Sequence, residues 1–357
     1  MSRRDGWINY FCCINSAAMK KTFFIFLFIL PFALNSSAQK CLNGNCSDGN
    51  GTYQWADGKK YSGQFVNGQC TGKGTLTYPS GNLYEGYFVD GQMSGKGTMR
   101  FQNGDRYSGD WANSDPNGEG VYTFASGSVY TGHFVNNERT GNGTMKYYNG
   151  DSYTGEWLNS DPDGEGTYVF ADSGKYVGHF VKNERTGHGT MYYASGAVYT
   201  GEWLQAEKSG KGVMKFSNGD QYDGDWSKDE PEGNGTYVFA DSGKYVGHFI
   251  NNKRDGQGQM YYANGDVYSG NWSNGDRAGD GTYIFADGSK YIGAFAHNSF
   301  EGTGTYYYLN GDVYTGEWKS SKRSGPGKLK YANGKKAEGI WENDALIKKQ
   351  KIDKKNN

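Results

Sequence analysis

The chain has 357 residues, including 57 glycines and 30 tyrosines, and its formal net charge is −1. Once nine basic and two acidic residues near the two ends are set aside, 28 basic and 36 acidic residues remain in the long middle portion. This acidic balance argues against nucleic acid as a partner, because nucleic-acid binding depends on basic side chains that neutralise phosphates.

The first 38 residues have the pattern of a secretory signal peptide. Met19–Lys21 supplies a basic start, an apolar run extends from Thr22 to Leu34, and Ser36 and Ala38 form a small-x-small cleavage site. The apolar run is shorter than the roughly 20 residues that span a membrane. We therefore predict export to the periplasm, the cell surface or the medium, with an uncleaved anchor as the alternative. Met19 is a better starting residue for this signal peptide than Met1, so residues 1–18 are interpreted as the result of a mis-assigned start of the sequence.

Residues 39–60 are predicted to be a degenerate repeat that caps the N-terminal end of an array. Gly49-x-Gly51 lies 23 residues before a similar glycine pair, and Leu42 lies 23 residues before Phe65. These spacings match the period found downstream.

Three cysteines, Cys41, Cys46 and Cys70, lie in this N-terminal zone. In an oxidising compartment we expect a disulfide that fastens the exposed end of the array. The sequence leaves the three single pairings open. Metal binding is the alternative, but no histidine lies nearby.

The array itself is predicted over residues 61–345, where a tyrosine recurs every 23 residues without insertion or deletion. A fixed short period is the signature of a repeat protein. A last copy without the tyrosine begins at Ala337. The tyrosines are Tyr61, Tyr84, Tyr107, Tyr130, Tyr153, Tyr176, Tyr199, Tyr222, Tyr245, Tyr268, Tyr291 and Tyr314.

Each unit is predicted to form two β-strands. Aromatic residues and glycines stand at every second position of both strands, so they share one face and form the predicted structural core. In the unit that begins at residue 153 they are Tyr153, Gly155, Trp157, Gly164, Gly166, Tyr168 and Phe170.

The turns between units often contain Asn-Gly, as at Asn103-Gly104 and Asn149-Gly150. Asn-Gly between alternating strands is a strong hairpin signal, because both residues tolerate positive φ. The predicted fold class is therefore all-β, an elongated single-layer antiparallel meander of 23-residue β-hairpin repeats.

The glycines inside the strands predict a bend or a close approach of two backbones. We expect each strand to bend at its glycine, so that the aromatic face closes upon itself. The pair of large core residues partly alternates from one repeat to the next. Phe134 and Met145 form the pair in one repeat, and Trp157 and Tyr168 form it in the next. Residues 166–180 recur unchanged at 235–249, which indicates duplication of whole blocks.

Units such as Tyr153-Thr-Gly155-Glu-Trp157, each followed by Gly-x-Gly, resemble the MORN (membrane occupation and recognition nexus) repeat. The resemblance covers roughly residues 38–345. It implies a single-layer, elongated array of β-hairpins with roles in protein–protein contact, self-association and sometimes membrane attachment. Together with the signal peptide it suggests a secreted bacterial protein of this type. The resemblance supplies no catalytic residue.

No arrangement of residues indicates an enzyme, and no cofactor or metal ion is expected. The acidic stretches 115–119, 161–165 and 229–232 are interpreted as turns with solvated charges, with calcium binding as the alternative. His133 and Glu156 occupy the same position in consecutive units, roughly 10 Å apart across two strands, which is too far for acid–base pairing. No nucleophile–base pair, phosphate loop or HExxH-type motif occurs.

The outer face carries candidate contact residues. Tyr192, Tyr261 and Tyr307 are the candidate surface contacts. One aliphatic residue per unit adds a sparse stripe, which consists of Val66, Val89, Val135, Leu158, Val181, Leu204 and Ile250.

These patterns predict a non-enzymatic scaffold that binds a protein partner or a second copy of itself. One alternative is a module that binds an envelope polysaccharide or another glycan. Another is weak association with a membrane through the basic C-terminal tail, residues 346–357, whose lysines would contact anionic lipids.

Overall fold

The computed structural model describes residues 39–349 as one antiparallel sheet of 28 strands. This part of the chain contains no helix, and the predicted fold class is confirmed. The strands are β1 Lys40–Gly44, β2 Gly49–Gln54, β3 Lys60–Val66, β4 Gln69–Thr77, β5 Leu83–Val89, β6 Gln92–Arg100, β7 Arg106–Ala112, β8 Asp115–Thr123, β9 Val129–Val135, β10 Glu138–Lys146, β11 Ser152–Leu158, β12 Asp161–Val169, β13 Lys175–Val181, β14 Glu184–Tyr192, β15 Val198–Leu204, β16 Glu207–Lys215, β17 Gln221–Ser227, β18 Glu230–Val238, β19 Lys244–Ile250, β20 Lys253–Tyr261, β21 Val267–Ser273, β22 Asp276–Ile284, β23 Lys290–Ala296, β24 Ser299–Tyr307, β25 Val313–Lys319, β26 Lys322–Lys330, β27 Lys336–Glu342 and β28 Ala345–Lys349.

Each strand pairs with the strands before and after it in the sequence. In one repeat, Tyr153 on β11 pairs with Tyr168 on β12, and Tyr168 pairs in turn with Tyr176 on β13. The sheet is therefore a meander in which all strand pairing between repeats is made by consecutive strands. Strands β1 and β28 form its two edges.

A β-bulge interrupts the hairpin inside each repeat. In the β11–β12 hairpin, Gly155 pairs with Gly166, but the next pair is Trp157 with Pro162. The pairing of β12 with β13 in the following repeat has no such shift. Because a bulge bends its strand and increases its twist, the bend that was expected at the glycines falls at this bulge.

The two kinds of turn differ in backbone conformation. The tight turn inside the repeat, Asn159-Ser160, has positive φ at both residues, 50° and 72°, as a type I′ hairpin requires. In the turn between repeats only Gly150 has positive φ, at 95°, and its N–H donates to the Tyr147 carbonyl at 3.1 Å. This is a type I turn followed by a left-handed glycine. The Asn-Gly turns were correctly located, and of the two residues only the glycine adopts positive φ.

The twelve repeat tyrosines form the centre of the core, and none of them is exposed to solvent. The ring of Tyr153 contacts Trp157 of its own repeat edge-to-face at 5.3 Å, and Phe180 of the next repeat at 5.1 Å. Such pairs contribute about 0.5–1.5 kcal/mol beyond their buried area. The same contacts recur in every repeat from Tyr61 to Tyr314, so one row of rings connects the array.

The glycines of each repeat have two distinct roles. The Tyr153 ring lies over Gly155 and Gly166, and its hydroxyl donates to the Glu156 carbonyl at 2.9 Å. A Cβ on Gly155 would lie 2.6 Å from the Tyr153 hydroxyl oxygen, so a side chain there has no space. Gly164 instead lies at the bulge with φ of 111°, in the region that favours glycine. The Gly-x-Gly pair thus combines a conformational glycine with a steric one.

The N-terminal edge contains the disulfide. Cys41 and Cys46 are bonded, with 6.0 Å between their Cα atoms, whereas Cys70 is a free, buried thiol. Leu42 is 40% exposed, although its counterpart Phe65 is buried. The first repeat therefore keeps the strand pairing of the array but lacks the aromatic core of its first strand.

The C-terminal edge extends beyond the predicted end of the array. Lys348 on β28 pairs with Ile340 on β27, so residues 346–349 of the predicted tail belong to the sheet. The predicted signal peptide, residues 1–38, and the last eight residues of the chain lie outside the described residues.

Candidate interaction surfaces

Alternation along the strands places the polar-face residues in rows that cross the sheet, one residue per strand. The first of these, here called the basic row, runs from Lys60 on β3 to Lys336 on β27 through successive cross-strand partners. None of its members is Asp or Glu. Ten of them are basic: Lys60, Arg100, Arg106, Lys146, Lys175, Lys215, Lys244, Lys290, Lys330 and Lys336.

A second row, here called the hydroxyl row, lies two residues from the basic row on each strand, toward the middle of the strand, and consists mostly of Ser and Thr. Its members pair across strands, as the Thr144 and Thr154 hydroxyls do at 3.1 Å. Over the N-terminal repeats this row lines an open groove of about 930 Å³, which also includes Glu85, Tyr87 and Lys96. The groove therefore presents hydroxyl groups and a few charges.

The third row, here called the aliphatic–acidic row, lies at the opposite end of the strands, beside the tight turns. In four consecutive repeats an exposed aliphatic residue pairs with an acidic one. Leu158 and Leu204 are 51% and 59% exposed. The four pairs are Val135 with Glu138, Leu158 with Asp161, Val181 with Glu184, and Leu204 with Glu207.

The three candidate tyrosines all belong to the basic row. A lysine ammonium lies over each ring, for example Lys175 over Tyr192 at 4.7 Å from the ring centroid. The same arrangement occurs at Tyr261 and Tyr307. These tyrosines lie on β14, β20 and β24, so they are about 29 Å and 19 Å apart across the sheet. The structure therefore does not bring them together into one aromatic patch.

Apart from Asp229, which lies in a tight turn, the acidic stretches belong to strands β8, β12 and β18, so their interpretation as turns was wrong. Pro162 is paired with Trp157, and the Asp163 carboxylate accepts a hydrogen bond from the Lys182 N–H at 3.2 Å. In the same way, Glu232 accepts from the Asn251 N–H at 2.8 Å. These carboxylates therefore cap the tight turn of the following repeat. Within residues 39–349, no three His, Cys, Asp or Glu side chains are arranged to hold a metal ion.

Charged residues in the middle of the polar face form exposed cross-strand pairs. His133 Nδ1 lies 3.1 Å from the Glu119 carboxylate, and Lys211 lies 2.5 Å from Asp225. The hydrogen bond from Lys211 lowers the pKa of the Asp225 carboxyl group. Exposed pairs of this kind contribute little to stability and do not form an acid–base site.

A set of arginines on the aromatic face was not predicted from the sequence. Each lies nine residues after a repeat tyrosine, covers the tryptophan of the next repeat, and donates to a carbonyl of that repeat's tight turn. Arg185, for example, donates to the Ala206 carbonyl at 2.8 Å, and burial lowers the pKa of its guanidinium. The pairs are Arg139 with Trp157, Arg185 with Trp203, Arg254 with Trp272, and Arg323 with Trp341. The recurrence of Arg eighteen residues before Trp is the signal that could have revealed them.

Solved structures with partial likeness to this chain include two TCP domains. The TCP10 domain of Danio rerio CPAP, in complex with a peptide of Danio rerio STIL, is 15% identical over 62% of this chain and 92% of that chain, with a TM-score of 0.36. The SAS-4 (dCPAP) TCP domain of Drosophila melanogaster, in complex with a proline-rich motif of Ana2, is 20% identical over 42% and 82%, with a TM-score of 0.28. At these TM-scores the likenesses support no inference about function. Among curated proteins, no match to this chain was found.

The fold and its repeated contacts define a β-hairpin repeat array. The MORN repeat family model matches thirteen consecutive segments, from 47–60 and 61–83 to 314–336. The chain belongs to the MORN repeat family. No helix among residues 39–349 is long and apolar enough to span a membrane.

Proposed function

We propose that this protein is a non-enzymatic scaffold that binds another protein, or a second copy of itself, through the aliphatic–acidic row. The observation that carries the proposal is the exposure of Val135, Leu158, Val181 and Leu204 in four consecutive repeats, each beside a carboxylate. Their spacing of about 10 Å follows from two strands per repeat.

The chemistry of this row suits a partner that is both basic and apolar. Aliphatic side chains supply area that is removed from water on binding, and carboxylates beside them favour a positively charged segment and disfavour an acidic one. A second copy of the chain would supply such a segment through its own basic row, whose members include valine and isoleucine as well as lysine and arginine.

The test compares two pairs of substitutions in the mature protein, residues 39–357. Leu158→Asp/Leu204→Asp places charges in the row, whereas Leu309→Asp/Ile347→Asp changes aliphatic residues that are also exposed but lie outside it. We expect partners that crosslink to a photoreactive residue at position 181 to be lost in the first variant and retained in the second. If self-association is the function, the mass measured by light scattering should fall in the first variant alone. Equal retention in both variants would exclude the row as the binding surface.

We further propose that the scaffold acts outside the cytoplasm, after removal of residues 1–38. The Cys41–Cys46 disulfide, three residues beyond the proposed cleavage site, supports this, because disulfides persist in oxidising compartments. N-terminal sequencing of protein from fractionated cells should give Gln39 as the first residue of an exported form. Cytoplasmic protein that retains residues 19–38 would contradict export.

A further inference from the structure

The basic row concentrates one sign of charge on a chain whose overall formal charge is only −1. Ten Lys or Arg residues and no acidic residue occupy it from β3 to β27, although the protein has 37 basic and 38 acidic residues in total. The aliphatic–acidic row has an acidic residue on every second strand from Asp115 on β8 to Glu230 on β18. The polar face is thus basic along one long margin and acidic along the central part of the other.

The cations are regularly spaced and accessible. Arg106, Lys146, Lys175, Lys215 and Lys244 lie on β7, β10, β13, β16 and β19, one on every third strand and thus about 14 Å apart. Most of the ten are exposed. Among residues 39–349, Arg100 is the one member of this row with a carboxylate within ion-pair distance, that of Glu85 at 3.8 Å.

Within the row the cations are flanked mostly by aliphatic residues and tyrosines, and the row beside them consists mostly of uncharged hydrogen-bonding groups. The hydroxyl row runs parallel to the basic row two residues away along every strand, with pairs such as Thr190 and Thr200 at 3.1 Å. Tyr192, Tyr261 and Tyr307 add phenol hydroxyls, and each holds a lysine ammonium over its ring. Holding an ammonium in place reduces the entropy that is lost when it binds an anion.

We propose that the basic row binds a linear anionic polysaccharide, one that carries carboxylates or sulfates along a chain of hydroxyl-bearing sugars, laid across the strands. The cations pair with its anionic groups, and the hydroxyl row exchanges hydrogen bonds with its sugar hydroxyls. A long row of sparse cations fits an extended polymer with spaced charges. Duplex nucleic acid carries a charge about every 1.7 Å, so one cation per 14 Å would neutralise little of it. This inference does not rest on protein binding at the opposite margin.

The test uses the mature protein with four kinds of probe: polyuronate and heparin, neutral dextran, duplex DNA, and vesicles containing anionic phospholipid. Arg106→Glu/Lys146→Glu/Lys215→Glu/Lys244→Glu reverses four charges of the row. The control, Lys182→Glu/Lys253→Glu/Lys319→Glu/Lys322→Glu, makes the same change in net charge at exposed residues outside it. We expect the row variant to bind polyuronate or heparin about tenfold or more weakly, and the control to bind within about twofold of the unchanged protein.

A second measurement needs no variant and so does not depend on correct folding of one. Polyuronate or heparin should slow the acetylation of Lys215 and Lys244, and leave that of Lys253 and Lys322 unchanged. Absence of binding to both anionic glycans would overturn the proposal. Equal weakening in the two variants, equal binding of dextran, or tighter binding of DNA or vesicles than of the glycans would overturn it as well.

Discussion

The Arg185 guanidinium lies 4.6 Å from the centroid of the Trp203 ring, in the repeat that follows its own. Its Nη2 also donates to the Ala206 carbonyl in the tight turn of that repeat. One side chain therefore connects two repeats through a cation–π contact and a hydrogen bond. Pro116, Pro162 and Pro231 occupy the equivalent position in other repeats.

Arg185→Ala should destabilise the β13–β16 region by about 1–2 kcal/mol, because it uncovers Trp203 and removes the donor to Ala206. Arg185→Pro should reduce the stability by less than Arg185→Ala does, since proline covers the core at this position in three other repeats. Ala206 has no side-chain acceptor for the Arg185 N–H, whereas Ser160 accepts the N–H of Arg139 at 3.1 Å. Hydrogen exchange across β13–β16 measures both variants, and a larger loss of protection in Arg185→Pro would contradict this account.

Gly155→Ala should be strongly destabilising, because its Cβ would lie 2.5 Å from the Gly166 Cα and 2.6 Å from the Tyr153 hydroxyl oxygen. Overpacking of this kind typically costs about 1–3 kcal/mol. The control is Gly68→Asn, at a left-handed position with no atom within 4 Å of an added Cβ, where the equivalent residue is Asn137. Since repeats contact only their neighbours, protection should fall around residues 130–200 and persist near Tyr291. Uniform loss along the chain would show a globally cooperative core.

Two tryptophans differ in one hydrogen bond, and Trp157 is in addition covered by Arg139. Trp157 Nε1 donates to the Gly143 carbonyl at 3.1 Å, whereas the buried Nε1 of Trp111 has no acceptor among the described residues. Trp157→Phe should therefore cost about 1 kcal/mol more than Trp111→Phe, which removes an unsatisfied donor. The comparison is made by hydrogen exchange at β11 and at β7. Equal effects would mean that the bond to Gly143 contributes nothing.

Ser173 has φ of 75° at a turn position that is glycine in other repeats, such as Gly150 and Gly196. Ser173→Gly should stabilise the turn by about 1 kcal/mol, because glycine adopts this backbone conformation without the steric cost of a Cβ. Ser195→Gly, one position earlier in the equivalent turn, should bring no gain. Thermal unfolding compares the two, and a lower midpoint for Ser173→Gly would be inconsistent with relief of strain.

The tyrosine core predicts alkaline unfolding. Burial raises the pKa of Tyr130, Tyr176 and Tyr245 to about 12, above the ordinary value near 10. The protonated form is thus favoured by folding, so this contribution to stability is complete below pH ~10 and is lost as pH rises from ~10 to ~12. Tyrosinate absorbance and circular dichroism should change together in this interval. Ionisation of the core tyrosines near pH 10 with the sheet intact would refute the shift.

The period of the tyrosines and the alternation around them were sufficient to predict the strands, the hairpin order and the buried face. Alternation fixes which residues share a face, and the hydrophobic effect decides which face is buried. The bulge between Gly155 and Trp157 was not predictable in the same way, because two glycines in Gly-x-Gly look identical in sequence. The structure separates them: Gly166 lies under the tyrosine, and Gly164 has positive φ.

The candidate surface was less predictable. Tyr192, Tyr261 and Tyr307 were singled out as aromatic residues on an outward face, but their lysine neighbours come from an adjacent strand seventeen residues earlier. The basic row likewise joins residues that alternate between the start of one strand and the end of the next. Only the cross-strand register brings them together. A count of charges along the sequence does not separate these basic residues from the acidic residues of the opposite margin.

The identical segments 166–180 and 235–249 occupy equivalent places on β12–β13 and β18–β19, and each strand pairs only with the strands next to it in sequence. A crossover between the two copies of this coding sequence would remove three whole repeats and join β12 to β19 through a turn that the protein already contains. The reciprocal product would gain three. The length of the array can therefore change by three repeats in a single genetic event, because the number of hairpins changes while each hairpin keeps its pairing partners.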